Sequence, residues 1–363
     1  MKAAVCYEFD QPLSIEEVQM EGPRAGEVLV RMAAAAICHS DIHSLHAEHG
    51  RARLPALSGH EVSGYVEEVG SGVTYVKPGD PVVCCLVRAG CGQCHYCLIG
   101  QPNFCESWHF LFQRLGPYYT SRGEQLTLFP GLYAGFAELT VVPEGGVVKI
   151  PADMPMDRAA LLGCGVISGF GAVVNGAQVK PFSSVVVMGA GGVGLNAVQG
   201  AAFVGAHPIV AVDILESKLT MARSFGATHT VNAREESDLP GAIRSLTHGR
   251  GADYVFVTVA GIEHKRQAFM MLARAGMAIF IGHGVNETMS QFDAVELVGG
   301  RMLTGCAMGA ARIRLDIPRL IELYQAGRLK LDELISRRYP FEQINEAIAD
   351  AEKGLALRNV LLF

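Results

Sequence analysis

The hydrophobic pattern changes in character about 150 residues into the chain. Before that point, short apolar or alternating runs at 28–32, 62–66 and 137–142 are separated by turns rich in glycine and proline. Such runs are typical of half-buried β-strands. The turn at 77–81 is followed by a further apolar run at 82–85. The pattern therefore predicts a first region that consists mostly of β-structure.

From about residue 157 onward, apolar strands alternate with helical segments. The predicted strands are 185–188, 208–212, 254–257 and 278–281, and the predicted helices are a segment that ends near Gly205, 216–225 and 265–275. Strands that alternate with helices favour a parallel sheet that is covered by helices on both faces. From about residue 309, amphipathic segments at 318–327 and 341–353 precede a strand-like end at 359–363.

Composition narrows the class of protein further. The chain has 363 residues, and 30 Lys+Arg stand against 36 Asp+Glu. At about 100–200 residues per domain, this length predicts two or three domains. Only 18% of the residues are charged and 42 are glycine, which excludes a disordered chain and favours a globular enzyme or carrier. The net charge of −6 argues against a nucleic-acid surface, which needs clustered Lys and Arg.

One segment resembles a membrane span in composition. Residues 182–212 contain no Asp, Glu, Lys or Arg, but they do contain Asn196, Gln199 and Pro208 besides six glycines. These interruptions favour a buried strand, turn and helix over a spanning helix. The N-terminal residues reach Glu8 before any apolar stretch long enough for a signal peptide. We therefore expect a cytoplasmic protein without a membrane partner.

The ten cysteines are unevenly distributed, and four of them lie within one short segment. These four are Cys91, Cys94, Cys97 and Cys105. Four thiolates in such short loops suit a tetrahedral structural zinc, which has no open coordination position. An iron–sulfur cluster is the competing interpretation, because it also uses C-x₂-C-x₂-C spacing. Unrelated buried or disulfide-forming cysteines are the remaining alternative.

A glycine-rich turn follows the first predicted strand of the alternating region. Its residues Gly189, Gly191, Gly192, Val193 and Gly194 match G-x-G-x-x-G, and Asp213 closes the next predicted strand. The glycines allow close backbone approach to a pyrophosphate, and the following helix offers its N–H groups. An acidic residue at Asp213 binds ribose hydroxyls and repels a 2′-phosphate, so it favours NAD over NADP. A packing turn with a surface aspartate is the alternative.

Three further residues form a second candidate metal site. Cys38, His60 and Cys164 lie beside predicted turns, and Asp41 and Glu61 are close to two of them in sequence. Separately, each of these residues is weak evidence for a metal site, because a lone Cys is usually a buried apolar residue. Together, two thiolates and one imidazole leave a fourth position open, as a catalytic zinc requires.

These motifs, in this order along the whole chain, resemble those of the zinc-dependent medium-chain alcohol dehydrogenases that carry both a catalytic and a structural zinc. The resemblance implies an α/β protein with two domains. A GroES-like β-rich catalytic domain would comprise 1–165 and 309–363, and a Rossmann domain with a doubly wound parallel sheet would comprise 166–308. It implies reversible oxidation of an alcohol to an aldehyde or ketone, with hydride transfer to NAD and the alcohol activated by zinc.

The resemblance also implies a role for each matching residue. Cys38, His60 and Cys164 would hold the catalytic zinc, with Asp41 orienting His60 and Glu61 assisting ligand exchange. Ser40 would take the alcohol proton, unless it only caps a helix, and His43 would relay it, with His46 and His49 as rivals. The remaining residues would bind the cofactor or line the substrate pocket: Lys218 at the adenosine ribose, Arg358 at the pyrophosphate, Ile281 and His283 near the nicotinamide, and Val87, Phe110 and Phe136 at the substrate.

The chain departs from the family pattern at two positions. His39 stands where some relatives carry Arg, which is expected to weaken binding of the cofactor phosphates and to make it pH-dependent. Val87 stands where several relatives have an aromatic residue, so bulkier or branched alcohols are expected to fit. The stretch between Cys105 and Phe136 has the length seen in dimeric relatives, so the resemblance favours a homodimer over a tetramer.

Three alternative functions remain at this point. The first is a specialised dehydrogenase of the same superfamily, acting on a polyol, a formaldehyde–thiol adduct or a biosynthetic alcohol. The second is a nicotinoprotein that keeps NAD bound throughout the cycle. The third, from a different class, is a non-catalytic protein that binds zinc and a nucleotide.

Overall fold

The computed structural model describes residues 1–47, 53–86, 89–107, 118–129, 133–282, 294–354 and 356–363. The chain divides into two compact units, one formed by Met1–Cys164 with Arg312–Phe363 and the other by Gly165–Ala311. Val87, Phe110, His283 and His49 lie outside the described residues. No helix in the described part of the chain is long and apolar enough to span a bilayer.

The strands of the described residues are, in chain order, β1 (Lys2–Cys6), β2 (Ser14–Met20), β3 (Glu27–Ala36), β4 (Ala56–Leu57), β5 (Glu61–Val69), β6 (Pro81–Cys84), β7 (Tyr118–Thr120), β8 (Gln125–Leu128), β9 (Leu139–Pro143), β10 (Val147–Lys149), β11 (Val185–Met188), β12 (Ile209–Asp213), β13 (His229–Asn232), β14 (Ala252–Val257), β15 (Leu272–Phe280), β16 (Met302–Gly305), β17 (Ile335–Pro340) and β18 (Arg358–Leu362).

The α-helices of the same residues are α1 (His39–Leu45), α2 (His95–Leu98), α3 (Met156–Leu161), α4 (Gly165–Gly171), α5 (Gly192–Phe203), α6 (Glu216–Ser224), α7 (Leu239–Leu246), α8 (Ile262–Met271), α9 (Ala294–Val298), α10 (Ile313–Gln325) and α11 (Ile344–Glu352).

The first unit contains a closed barrel and a seven-stranded sheet. The barrel has the strand order β1-β2-β7-β8-β4, and the larger sheet runs β10-β6-β5-β3-β18-β17 with β9 also paired to β3. Alternate residues of β1 face two separate apolar cores, so that Ala3 and Val5 pack inside the barrel and Ala4 and Cys6 against the larger sheet. This alternation is the two-residue period of a strand that is buried on both faces.

The strand register of the larger sheet brings distant parts of the sequence together. At the end of β3, Ala36 pairs with Glu61 on one side and with Val360 on the other. Cys38 follows β3 by two residues, His60 precedes β5 directly, and Arg358 begins β18. Three segments with chemically active side chains therefore meet at one edge of this sheet.

The second unit is a parallel sheet with helices between its strands. The strand order is β13-β12-β11-β14-β15-β16, and every pairing in it is parallel. Val185, Val186 and Val187 of β11 are fully buried, as expected for a central strand that is covered on both faces. The predicted doubly wound sheet is confirmed.

One sequence-based boundary is wrong. A helix was expected over 265–275, whereas α8 ends at Met271 and β15 begins at Leu272. Leu272 pairs with Ala252 of β14, and the pairing continues from Met277 after a register shift. Residues 272–275 contain two alanines and favour a helix slightly. Pairing with a buried parallel strand outweighs this preference.

Candidate active site and metal centres

A buried cluster of potential metal ligands lies in the first unit. Cys38, His60, Glu61 and Cys164 each offer one ligand atom, and these atoms lie within 4.8 Å of one another. All four residues are buried. The structure therefore brings together the three residues that the sequence suggested as catalytic zinc ligands, and it adds Glu61 to the group.

Close backbone packing brings the turn that carries Cys164 to the other ligands. Gly163 lies against the carbonyl oxygen of Cys84 at the end of β6, and a Cβ atom at position 163 would be 2.7 Å from that oxygen. Such a distance is too short for any side chain, so this position requires glycine. Cys84 pairs with Val62 of β5, which places the turn beside the strand that follows His60.

Asp41 fixes the orientation of the His60 ring. Its Oδ1 atom lies 2.9 Å from His60 Nδ1 and also accepts hydrogen bonds from Ser58 Oγ and Gly59 N, each at 3.2 Å. The other oxygen accepts from the backbone N–H of Cys38, also at 3.2 Å. With Nδ1 engaged, the Nε2 atom of His60 is buried and has no hydrogen-bond partner among the described residues. A buried polar atom without a partner is costly, and a metal ion would satisfy it.

Glu61 and Arg358 form a buried ion pair next to this cluster. Arg358 Nε donates to Glu61 Oε1 at 3.2 Å, while Arg358 Nη1 donates to the carbonyl oxygen of Leu357 at 2.9 Å. Glu61 Oε2 is buried without a hydrogen-bond partner. Burial raises the pKa of Glu61 to about 7, although the charge of Arg358 opposes the shift. Placement of Arg358 at a pyrophosphate stays a prediction, because the structure shows its guanidinium against Glu61.

Burial and hydrogen bonds within the cluster shift the pKa values of its residues in different directions. The hydrogen bond with Cys164 holds the pKa of Cys38 well below its usual range, against the effect of burial. The same bond, together with burial, raises the pKa of Cys164. Burial disfavours a charged His60, but the Asp41 carboxylate outweighs it and raises the pKa of His60. Two sulfurs and the unpartnered Nε2 of one imidazole match the donor set of a catalytic zinc with three protein ligands.

The second cysteine cluster surrounds α2. Cys91, Cys94, Cys97 and Cys105 also bring their sulfur atoms within 4.8 Å of one another. The backbone N–H of Cys91 donates to Cys105 Sγ at 3.3 Å, and backbone hydrogen bonds from Gln93 and Cys94 lower the pKa of Cys91 to about 6. All ten cysteines of the chain are free, so the disulfide alternative is wrong for this structure. The four sulfurs fit a tetrahedral structural metal.

Helix α1 carries four of the predicted site residues: His39, Ser40, Asp41 and His43. Cys38 is the residue that precedes the helix, so Ser40 is its second residue and does not cap it. Ser40 Oγ is 3.9 Å from Cys38 Sγ, beside the metal cluster. His39 is exposed and His43 is half-buried, and their ring centres are 6.3 Å apart.

The predicted cofactor turn lies in the second unit between β11 and α5. Gly194 packs so closely that an added Cβ atom would be 1.7 Å from the carbonyl oxygen of Gly189. Around Gly191 nothing lies within 4 Å of such an atom, which leaves that side of the turn open. The carboxylate of Asp213 accepts from the backbone N–H of Ala190 at 2.7 Å. The turn thus has the compact shape and the acidic neighbour that a dinucleotide site needs.

The remaining predicted residues have simpler surroundings. Lys218 is half-buried on α6, and Ile281 donates its backbone N–H to the carbonyl oxygen of Val257 at 2.9 Å. Phe136 is 1% exposed and belongs to the core of the larger sheet, where its place in a substrate pocket stays a prediction.

Two contributing residues were missed by the sequence reasoning. Ser58 bonds to Asp41, and Thr258 Oγ1 donates to the carbonyl oxygens of Met188 at 2.9 Å and Gly189 at 3.0 Å. The only signal for Ser58 in the sequence was its position directly before Gly59 and His60. No sequence pattern singles out Thr258.

Comparisons with known proteins agree with this geometry. The family model for the alcohol dehydrogenase GroES-like domain matches residues 24–152, and that for zinc-binding dehydrogenases matches residues 192–326. An NDMA-dependent alcohol dehydrogenase from Amycolatopsis methanolica is 37% identical over 380 residues, which cover 99% of this chain and 98% of the relative. An S-(hydroxymethyl)glutathione dehydrogenase from Paracoccus denitrificans is 37% identical over 373 residues, covering 100% and 99%.

A solved structure shows the same similarity in three dimensions. The crystal structure of benzyl alcohol dehydrogenase from Acinetobacter calcoaceticus has a TM-score of 0.90 and 32% identity, with coverage of 100% of this chain and 99% of that chain. The chain belongs to the zinc-dependent medium-chain alcohol dehydrogenases. It is an enzyme with a GroES-like catalytic domain and a Rossmann-like parallel sheet, and NAD is the cofactor typical of its family.

Proposed function

We propose that the enzyme oxidises an alcohol at the buried Cys38–His60–Cys164 cluster, with these three residues as the ligands of a catalytic zinc. The observation that carries the proposal is the buried, unpartnered Nε2 of His60 beside two cysteine sulfurs. When bound, zinc acts as a Lewis acid toward the alcohol oxygen and NAD accepts the hydride. We assign the first compact unit to catalysis and the second to cofactor binding.

The protein's own residues supply orientation and proton transfer. Asp41 holds the His60 ring, and the Ser40 hydroxyl, which borders Cys38, accepts the alcohol proton. His43 lies three residues further along the same helix face, so it can receive the proton from Ser40 and pass it towards solvent. At the glycine turn, Asp213 binds the adenosine ribose, and the backbone N–H groups of α5 bind the pyrophosphate. We also propose that Lys218, Ile281 and His283 contact the cofactor, as the family resemblance implies.

The first experiment tests the metal assignment. Wild-type enzyme is expected to contain two zinc ions per chain, and Cys38→Ser is expected to contain one and to lose alcohol oxidation while still binding NAD. Cys6→Ser is the matched control, because Cys6 is also buried but belongs to neither cluster. Normal metal content and activity in Cys38→Ser would rule out this cluster as the catalytic site.

The second experiment tests proton transfer. Replacement of His43 by Gln is expected to lower kcat by about 100-fold, the usual scale of a lost acid–base group, with little change in zinc content. His264→Gln, at an exposed position of α8, is the control. An unchanged kcat in His43→Gln would assign proton transfer to another group.

The substrate class is proposed from the relatives. One relative is named for S-(hydroxymethyl)glutathione and another for benzyl alcohol. We favour a general alcohol substrate over the glutathione adduct, and a panel of aliphatic, aromatic and adduct substrates distinguishes them by kcat/KM. One relative is also named for NDMA, so the panel is repeated with NDMA as acceptor. Nicotinamide absorbance that persists after desalting would identify permanently bound NAD.

We further propose a homodimer in the cytoplasm. Strand β16 is the end strand of the parallel sheet, and the neighbouring helix α9 exposes Val295 and Val298, at 75% and 89%. Apolar side chains beside the end strand of the described sheet suit pairing with a second copy. Light scattering after gel filtration is expected to give a dimer mass that falls in Val298→Asp but not in Phe182→Asp, a control at another exposed apolar position. A tetramer mass would contradict the proposal.

A further inference from the structure

The carboxylate of Asp41 accepts more hydrogen bonds than are needed to orient one histidine. Asp41 is completely buried, and its Oδ1 atom has three donors: His60 Nδ1 at 2.9 Å, Ser58 Oγ at 3.2 Å and Gly59 N at 3.2 Å. Its Oδ2 atom accepts from Cys38 N. Among these donors, the Ser58 hydroxyl is the only one that is neither a backbone group nor part of a ligand residue.

A buried hydroxyl in this position has a specific consequence. A carboxylate with few donors can rotate about its Cβ–Cγ bond and carry the bonded imidazole with it. The Ser58 hydroxyl donates to the same oxygen as His60 Nδ1, so it adds to the restraint that the Gly59 and Cys38 backbone N–H groups place on that rotation. Partners of a metal ligand commonly change metal affinity by about 10- to 100-fold.

Within the described part of the chain, the Ser58 hydroxyl donates to no acceptor other than Asp41. Its backbone carbonyl accepts from Phe136 N at 3.0 Å, a bond that any residue at position 58 would make. The residue is 2% exposed, where an unbonded hydroxyl would be unfavourable. Ser58→Ala is therefore a specific substitution, because it removes one hydrogen bond to Asp41 and leaves the backbone contacts in place.

We propose that Ser58 is a positioning residue of the catalytic centre, whose hydroxyl holds the Asp41 carboxylate so that His60 presents Nε2 to the metal. This inference rests on the proposed catalytic zinc site. The Ser58 hydroxyl acts on the metal through Asp41 and His60. Its effect on metal affinity is therefore expected at the lower end of the range for residues that contact a ligand directly.

The test compares wild type, Ser58→Ala, Ser58→Thr and Ser63→Ala. Ser63 is the matched control because it is also buried in the same segment, but its hydroxyl donates to the carbonyl oxygen of Met156 at 2.6 Å. With excess chelator, Ser58→Ala is expected to lose its more buried zinc about 10-fold faster than wild type, while the zinc of the four-cysteine cluster leaves at the wild-type rate. Ser58→Thr restores the hydroxyl and should return the rate towards wild type.

A spectroscopic readout separates positioning from general destabilisation. With cobalt in the catalytic site, the visible absorption bands are expected to shift in Ser58→Ala and to remain in place in Ser63→Ala. In an Asp41→Asn background, Ser58→Ala should add no further change in metal loss, because both substitutions act on the same contact. Additive effects in the double variant would overturn the proposal, and so would a Ser58→Ala protein that matches Ser63→Ala in both readouts.

Metal uptake by the wild-type enzyme separates a failure of the proposed zinc site from a failure of the role of Ser58. If wild-type enzyme takes up metal only at the four-cysteine cluster, the proposed catalytic site itself is wrong. If it takes up both metals and Ser58→Ala behaves like wild type, only the role of Ser58 is wrong.

Discussion

Helix α1, which carries Ser40, Asp41 and His43, is held at its far end by a histidine between two carboxylates. His46 Nδ1 lies 2.5 Å from Asp10 Oδ1, and His46 Nε2 lies 2.8 Å from Glu352 Oε1 at the end of α11. A neutral imidazole has only one N–H, so both contacts are hydrogen bonds only when His46 is protonated. Hydrogen bonds to Asp10 and Glu352 accordingly raise the pKa of His46.

The expected contribution to stability is modest. The side chain of His46 is 35% exposed, and those of Asp10 and Glu352 are 67% and 38% exposed. Exposed ion pairs contribute about 0.2–1 kcal/mol each, so the two contacts together stabilise the fold by about 1 kcal/mol. For a unit of this size, His46→Gln should lower the melting temperature by about 3 °C.

The pH dependence gives the sharper test. Because the pKa of His46 is raised on folding, its contribution is complete below the pKa of an unfolded histidine and is lost as pH rises through the folded value. The difference in melting temperature between wild type and His46→Gln is therefore expected to be largest near about pH 6 and to shrink towards about pH 9. Asp10→Asn and Glu352→Gln should each show part of the effect. A constant difference across this range, or an equal loss in His264→Gln, would refute the reasoning.

Three further predictions follow from the two metal clusters and the cofactor turn. Cys97→Ser is expected to lose the zinc of the four-cysteine cluster but to keep the other ion, which metal analysis combined with thermal unfolding would show. Gly163→Ala places a Cβ atom 2.7 Å from the Cys84 carbonyl oxygen, so it should displace Cys164, cost about 2 kcal/mol and weaken catalytic zinc binding; unchanged zinc content would contradict this. Asp213→Ala removes a carboxylate that also accepts from Ala190 N, so kcat/KM should fall by about 10- to 100-fold with NAD and much less with NADP; parallel losses with both cofactors would indicate only damage to the turn.

The parallel sheet was predictable because its strands are continuous apolar runs. Residues 185–188 and 255–257 are buried on both faces, which produces a signal that a short window can detect. The barrel gave a weaker signal, since β4 has two residues and β7 has three. Strands so short carry no period of their own, and they exist only because their neighbours in space supply the pairing.

At the active site, the sequence could not predict contacts between residues that are far apart along the chain. Cysteines and a histidine with family-like spacing predicted the candidate ligands, but nothing in the sequence joins Arg358 to Glu61. The strand register at the end of β3 joins them, since Ala36 lies between Glu61 and Val360 in the sheet. Ser58 was missed for a similar reason, because its importance comes from a carboxylate seventeen positions earlier in the chain.

Unsatisfied polar atoms give independent evidence for the same centre. Across the described residues, six buried side-chain atoms have no hydrogen-bond partner, and two of these, His60 Nε2 and Glu61 Oε2, belong to adjacent residues of the metal cluster. Folded proteins leave few buried polar atoms unpaired, because each costs about 1–3 kcal/mol. Asp41 and Arg358 in the same cluster form multiple hydrogen bonds, so poor packing does not explain the two exceptions. A cation bound by His60 Nε2 and the two sulfurs would remove the first cost and, by its charge, would reduce the second.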